Sequence, residues 1–127
     1  MKKISNVLVS IVAIEHCYFL VLEMFLWTKP IGLKTFGLTA EFAEQTASLA
    51  ANQGLYNGFL AAGLIWGLFS KQQSYSLKIF FLSCVLVAAV FGAITAKLSI
   101  LYIQGFPALL ALLLVVLVQK SMKPSIL

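Results

Sequence analysis

Charged side chains are scarce in this chain, and arginine is missing altogether. Only 10% of the 127 residues are charged, whereas 61% are hydrophobic, and the mean hydropathy is +1.01. Soluble globular proteins carry about 25% charged residues, so these values lie well outside their range. The composition therefore predicts an integral membrane protein whose function lies in or beside the bilayer.

The chain also lacks the motifs of several common ligand classes. Its nine lysines stand singly or in pairs at the ends of apolar runs, without the basic, aromatic-rich stripe that is typical of nucleic-acid binding. Cys17 and Cys84 both lie inside apolar segments, and neither belongs to a CxxC or metal-ligand spacing. We therefore expect no nucleic-acid partner, no metal and no cofactor, and we expect membrane lipids as the immediate surroundings.

The apolar runs have the number and length of four membrane spans. A helix needs about 20 apolar residues to cross a bilayer, so the chain has room for about four. We predict an all-α, integral membrane four-helix bundle that forms a single transmembrane domain, residues 1–127. The spans are predicted at about 4–27, 49–69, 77–96 and 101–119, with an outer loop and interfacial helix at 28–48. Residues 40–51 within that loop also fit an extension of the second span.

Lysine placement predicts the orientation of the bundle. Membrane proteins keep an excess of lysine and arginine in cytoplasmic loops. If the N-terminus is cytoplasmic, the cytoplasmic lysines are Lys2, Lys3, Lys71, Lys78, Lys120 and Lys123, and the outer ones are Lys29, Lys34 and Lys97. This six-to-three split predicts that the N- and C-termini are both cytoplasmic.

Ionisable side chains interrupt the first apolar run. Glu15 and His16 stand near its middle, and Glu23 follows two helical turns later. Charge at bilayer depth costs at least about 2.5 to 3.5 kcal/mol per group, so it needs a partner, a proton or a functional role. His16, Glu23 and Trp27 share one helix face, but His16 and Glu23 are about 10 Å apart along the axis. Each must therefore find its partner on another helix or on a ligand, and the role of Glu15 stays open.

Further polar residues fall with Glu23 in the outer half of the predicted bundle, whereas Glu15 and His16 lie near its midplane. Amide and hydroxyl side chains there either contact a ligand or act as hydrogen-bond glue between helices. The spacings Gly54 to Gly58 and Gly63 to Gly67 favour close helix packing, which includes packing in a homo-oligomer. We predict an outer polar pocket, and its candidates for ligand binding or proton transfer are His16, Glu23, Trp27, Asn52, Gln53, Tyr56, Asn57 and Gln104.

These residues also carry a resemblance to a known family. The matching features are His16, Phe19, Glu23, Met24, Phe25 and Trp27, then NQGLYNGFLAAG at 52–63, Phe91-Gly92-Ala93, and QGFPA at 104–108. Together they resemble the small bacterial four-helix membrane proteins grouped as domain of unknown function 1304. The resemblance covers nearly the whole chain. It implies a multi-pass protein of a bacterial inner or plasma membrane, and it implies no particular activity.

Three classes of function remain open from the sequence. The first is binding or transport of a small lipophilic or cationic molecule, with Glu23 as the charge or proton carrier. The second is a membrane enzyme that acts on a lipid-like substrate, with His16 or Glu23 transferring a proton, although no nucleophile–base pair supports it. The third is a non-catalytic structural or accessory membrane component, in which the polar residues hold helices together.

Overall fold

The computed structural model describes residues 1–122, and these residues form an all-α structure, as predicted. Five α-helices follow one another, with a π-helical segment at Leu101–Gly105 before the last of them. The helices are α1 (Lys2–Phe25), α2 (Pro30–Phe36), α3 (Ala40–Phe69), α4 (Ser74–Thr95) and α5 (Phe106–Met122). Lys123, which the sequence assigns to the cytoplasmic side, lies outside the described residues.

Three helical segments within residues 1–122 are long and apolar enough to cross a membrane. They are Lys2–Phe25, Ser74–Thr95 and Leu101–Met122. The fourth predicted span lies in α3, which has 30 residues and is about 45 Å long. Its two glutamates and its amide side chains at positions 52, 53 and 57 lower its hydropathy. The four-span topology and the orientation of the termini therefore stay predictions.

The segment between α1 and α3 contains a separate short helix. Pro30 occupies the first turn of α2, where a missing N–H costs nothing, and Gly37 ends the helix in the left-handed conformation with a φ of 68°. The N–H of Gly37 donates to the carbonyl of Leu33. The first helix, α1, ends at Phe25, and Trp27 lies in the turn before α2. Residues 40–51 are continuous with the rest of α3.

A proline explains the irregular start of the last helix. In the π-helical segment, the N–H of Phe106 donates to the carbonyl of Leu101, five residues earlier. Pro107 follows directly, and in a regular helix its ring would clash with the carbonyl four residues before it. The wider π turn avoids this clash. Pro107 thus sits in the first turn of α5.

The chain divides into two compact units. The central unit is Ile14–Ala61, and the terminal unit is Met1–Ala13 with the described part of Ala62–Leu127. In the terminal unit α4 packs against α5, and buried aliphatic residues such as Leu82 and Val115 lie on these two helices. The central unit holds the end of α1, all of α2 and the first part of α3, and therefore most of the predicted site residues.

Candidate functional site

A hydrogen bond joins Glu23 on α1 to Asn57 on α3. Nδ2 of Asn57 donates to Oε2 of Glu23 at 2.7 Å. Asn57 is 6% exposed, so its amide group is shielded from solvent and has the carboxylate of Glu23 as its hydrogen-bond acceptor. A hydrogen bond to an ionised acceptor is shorter and roughly twice as strong as one between neutral groups. The structure therefore brings together two of the predicted site residues in one polar contact.

Glycine lets the two helices approach at this point. A Cβ atom on Gly54 would lie 2.7 Å from Cγ of Met24 and 3.0 Å from Cβ of Glu23. Gly58, one turn later on α3, faces the side chain of Leu20. The order of these contacts shows that the end of α1 and the middle of α3 run antiparallel within the central unit. Because Gly54 has no side chain, α1 and α3 approach closely enough for Glu23 to reach Asn57.

The carboxylate of Glu23 stands where helix electrostatics disfavour a negative charge. It lies in the last turn of α1, next to the partial negative charge of the helix C-terminus, and that turn contains no basic residue. Among residues 1–122, no lysine forms an ion pair with it, and its only hydrogen bond comes from Asn57. Glu23 is also partly exposed. The site therefore has a partly exposed carboxyl group that no basic side chain of the described residues contacts.

Trp27 is fixed beside the same helix pair by two contacts. Its Nε1 donates to Oγ1 of Thr46 at 3.1 Å, and its ring centroid lies 4.8 Å from that of Phe36. Thr46 in turn donates to the carbonyl of Phe42 at 2.7 Å. The sequence predicts Trp27 as a site residue but does not single out Thr46 or Phe36. The sequence gives one indication of such a partner, because a partly buried indole N–H needs a hydrogen-bond acceptor.

Replacing Trp27 with phenylalanine tests the importance of this indole hydrogen bond. The Trp27→Phe change keeps an aromatic ring near Phe36 and removes the donor to Thr46. We expect the free energy of unfolding to fall by about 0.5 to 1.5 kcal/mol, the usual net value of one hydrogen bond. Thermal melting in one detergent measures the change, and Trp66→Phe is the matched control because Trp66 is 59% exposed. Equal melting of the two variants would contradict a specific role for the indole N–H.

The two ionisable residues in the middle of α1 have different surroundings. His16 is 1% exposed, and its ring lies edge-on to Phe19 with 6.3 Å between the ring centroids. Glu15 is partly exposed, but its Oε2 is buried and accepts no hydrogen bond from the described residues. His16 is therefore placed as a packed residue of the α1 interior face. Ligand contact by His16, and any role of Glu15, stay predictions.

The other predicted site residues do not meet Glu23 in a hydrogen bond of the described structure. Asn52, Gln53 and Tyr56 are exposed on α3, and Tyr56 packs its ring against Phe59. Gln104 lies in the π-helical segment, which belongs to the terminal unit. Among these α3 residues and Asn57, only Asn57 is buried. The contribution of the other four residues to a ligand site stays a prediction.

A double-mutant cycle measures the strength of the Glu23–Asn57 contact. Asn57→Ala leaves the carboxylate without its donor, so we expect it to lower the free energy of unfolding by about 1 to 3 kcal/mol. With Glu23→Ala already present, the same alanine substitution should cost less, because the hydrogen bond between the two side chains is then already absent. A coupling energy of about 1.5 kcal/mol or more is expected for a bond to a charged group. Additive effects would contradict a direct bond.

Three helices that are long and apolar enough to cross a membrane, together with one carboxylate–amide pair, characterise this all-α protein. The chain belongs to the family described as "Protein of unknown function (DUF1304)", whose model matches residues 10–116. This confirms the resemblance found in the sequence. The chain is also 30% identical over 115 residues to the uncharacterized protein YpaA of Lactococcus lactis subsp. lactis (strain IL1403), covering 89% of this chain and 97% of YpaA. No solved structure matches.

Proposed function

We propose that this protein binds a small lipophilic cation at Glu23, as a step in its sequestration or transport across the membrane. The supporting observation is the carboxylate of Glu23, which lies in the last turn of α1 and receives one amide hydrogen bond and no lysine contact among residues 1–122. A bound cation would supply the missing positive charge. A carboxylate without such a partner is costly inside a membrane.

The residues around Glu23 favour a lipophilic cation over a strongly hydrated one. Its helix neighbours include Leu20 and Met24, which pack against the glycines of α3. Such apolar surfaces offer no replacement for the water shell of a small inorganic ion, but they suit an organic group around the charge. Asn57 holds one carboxylate oxygen and leaves the other for the ligand. The amide thus orients the carboxylate without neutralising it.

The proposal includes the full four-span topology. In it α3 is the fourth membrane-crossing helix, both termini are cytoplasmic, and Glu23 lies in the outer half of the bundle. The length of α3, about 45 Å, exceeds the hydrocarbon thickness of a bilayer, which is about 30 Å. The first turns of α3, which carry Glu41 and Glu44, would then extend beyond the hydrocarbon on the outer side.

Cysteine labelling from one side of the membrane tests whether α3 crosses it. Both native cysteines are free thiols, so the background is Cys17→Ser with Cys84→Ser. Lys34→Cys on α2 and Gln72→Cys after α3 place exposed thiols at opposite ends of α3. We expect a membrane-impermeant maleimide on intact cells to label position 34 and to label position 72 only after permeabilisation. Labelling of both positions on intact cells would contradict the topology.

Direct titration tests the proposed binding. We expect the purified protein in a neutral detergent to bind tetraphenylphosphonium with a saturable isotherm, because this ion combines one positive charge with an apolar surface. Tetraphenylborate is the matched control, since it has nearly the same size and shape and the opposite charge. Saturable uptake of the cation alone supports the proposal. Linear uptake of both ions, as expected for partition into the micelle, would contradict it.

A further inference from the structure

A lysine is buried at the start of α4, in the terminal unit. Lys78 is 3% exposed, and its Nζ donates to Oδ1 of Asn6 at 2.8 Å. The same nitrogen lies 5.8 Å from the centroid of the Tyr75 ring. An ammonium group has three donors, and the described residues supply a hydrogen-bond acceptor for one of them. Lys78 therefore has donor capacity left for a further group.

A cavity of about 480 Å³ lies beside this ammonium group. Its lining includes Lys2, Lys71 and Lys78, together with the polar residues Asn6, Gln72 and Ser74, and none of its described lining residues is acidic. Cavities of about 300 to 1,000 Å³ are typical of small-molecule sites. The first turn of α4 borders this cavity through Ser74 and Tyr75, and helix N-termini attract anions.

The terminal unit contains no carboxylate side chain that could neutralise these lysines. All four acidic residues of the chain, Glu15, Glu23, Glu41 and Glu44, belong to the central unit. The described part of the terminal unit carries Lys2, Lys3, Lys71, Lys78, Lys97 and Lys120. A buried ammonium group is costly without an anionic partner. The countercharge for the Lys78 cavity is therefore expected to come from a ligand.

We propose that the cavity at the start of α4 binds a phosphate group, with Lys78 as its buried ligand and Lys2 and Lys71 as ligands at its mouth. Lysine binds phosphate as a point charge, and three lysines around one cavity match a group with several anionic oxygens. The phosphate belongs either to an anionic lipid headgroup or to a soluble phosphorylated molecule. This site uses other residues than the Glu23 site and does not depend on the proposed cation binding.

Native mass spectrometry of lipid adducts tests this site. The probes are dioleoyl phosphatidylglycerol, which has an anionic phosphate headgroup, and dioleoylglycerol, which has the same acyl chains and no phosphate. We expect wild-type protein to bind the anionic lipid about tenfold more tightly, a difference of about 1.4 kcal/mol. Lys78→Met should remove most of this preference. Equal affinity of wild-type protein for both lipids, without binding of pyrophosphate, would overturn the proposal.

A second variant pair keeps the test decisive if Lys78→Met does not fold. Lys2→Gln with Lys71→Gln removes two exposed charges from the cavity mouth, and Lys29→Gln with Lys34→Gln removes two exposed charges from the central unit. The first double variant should lose about fivefold in affinity for phosphatidylglycerol, or about 1 kcal/mol, and the second should bind like wild type. Equal losses in both would show general surface attraction and overturn the proposal.

Addition of sodium pyrophosphate distinguishes the two sources of the phosphate group. If pyrophosphate binds and displaces the lipid, and if its binding is lost in the same variants, the site accepts a soluble phosphorylated ligand. If the lipid stays bound in excess pyrophosphate, with the same dependence on Lys78, the site is specific for a lipid headgroup. Both results support a phosphate site at this cavity.

Discussion

Glu23→Gln is expected to lower the affinity of the protein for tetraphenylphosphonium about tenfold or more, which corresponds to about 1.4 kcal/mol. The substitution removes the negative charge that attracts the cation and keeps the shape of the side chain. Nδ2 of Asn57 can still donate to the amide oxygen of the new glutamine, so the contact between α1 and α3 is preserved. We therefore expect thermal melting close to that of wild type. Titration and melting in the same detergent measure both quantities.

Glu41→Gln is the matched control for this prediction. It makes the same chemical change and the same change in net charge, but Glu41 is exposed in the first turn of α3. Its affinity for the cation should equal that of wild type. Equal losses in the two variants would indicate a general charge effect. A large loss of stability in Glu23→Gln would instead favour a structural role for Glu23 as glue between helices.

Gly54→Leu is expected to separate α1 from α3 and to lower the free energy of unfolding by about 3 kcal/mol. Even one added carbon at Gly54 would lie 3.1 Å from the backbone nitrogen of Met24, and the backbone cannot turn aside as a side chain can. Overpacking of this kind usually costs about 1 to 3 kcal/mol, and leucine adds three carbons more. The Glu23–Asn57 hydrogen bond lies beside this contact, so cation binding should weaken as well.

Ala62→Leu provides the comparison for Gly54→Leu. It also enlarges a small residue of α3 to leucine, but Ala62 is exposed. We expect the melting temperature of this variant to stay near that of wild type, whereas that of Gly54→Leu should fall by several degrees. Similar melting of the two variants would contradict close packing of α1 on α3 at Gly54.

The sequence predicts the helical fold well because each long helix carries an apolar run. It predicts the end of α1 less well, since Trp27 continues the helical spacing and only Pro30 and Gly37 signal the separate α2. The sequence does not predict the π-helical segment, because the hydrophobic pattern does not show how the backbone avoids the clash at Pro107. The helix α3 is compatible with crossing a membrane and with lying outside it, so the helix alone does not decide between the two.

The candidate site is only partly predictable from the sequence. Glu23 stands out because charge is costly among apolar residues. Asn57 can be separated from Asn52 and Gln53 only through its neighbours, since Gly54, Asn57 and Gly58 share one face of α3. The Lys78–Asn6 contact is hidden, because it joins residues 72 positions apart and because lysine near a span end first indicates topology.

Mass spectrometry of small molecules that co-purify with the protein in mild detergent tests the central claim most directly. Wild-type protein, Glu23→Gln and Glu41→Gln would be purified side by side from the same cells. We predict a cationic, lipophilic species that is enriched with wild type and with Glu41→Gln and is depleted with Glu23→Gln. The same small molecules and bulk lipids in all three samples would contradict a cation site at Glu23.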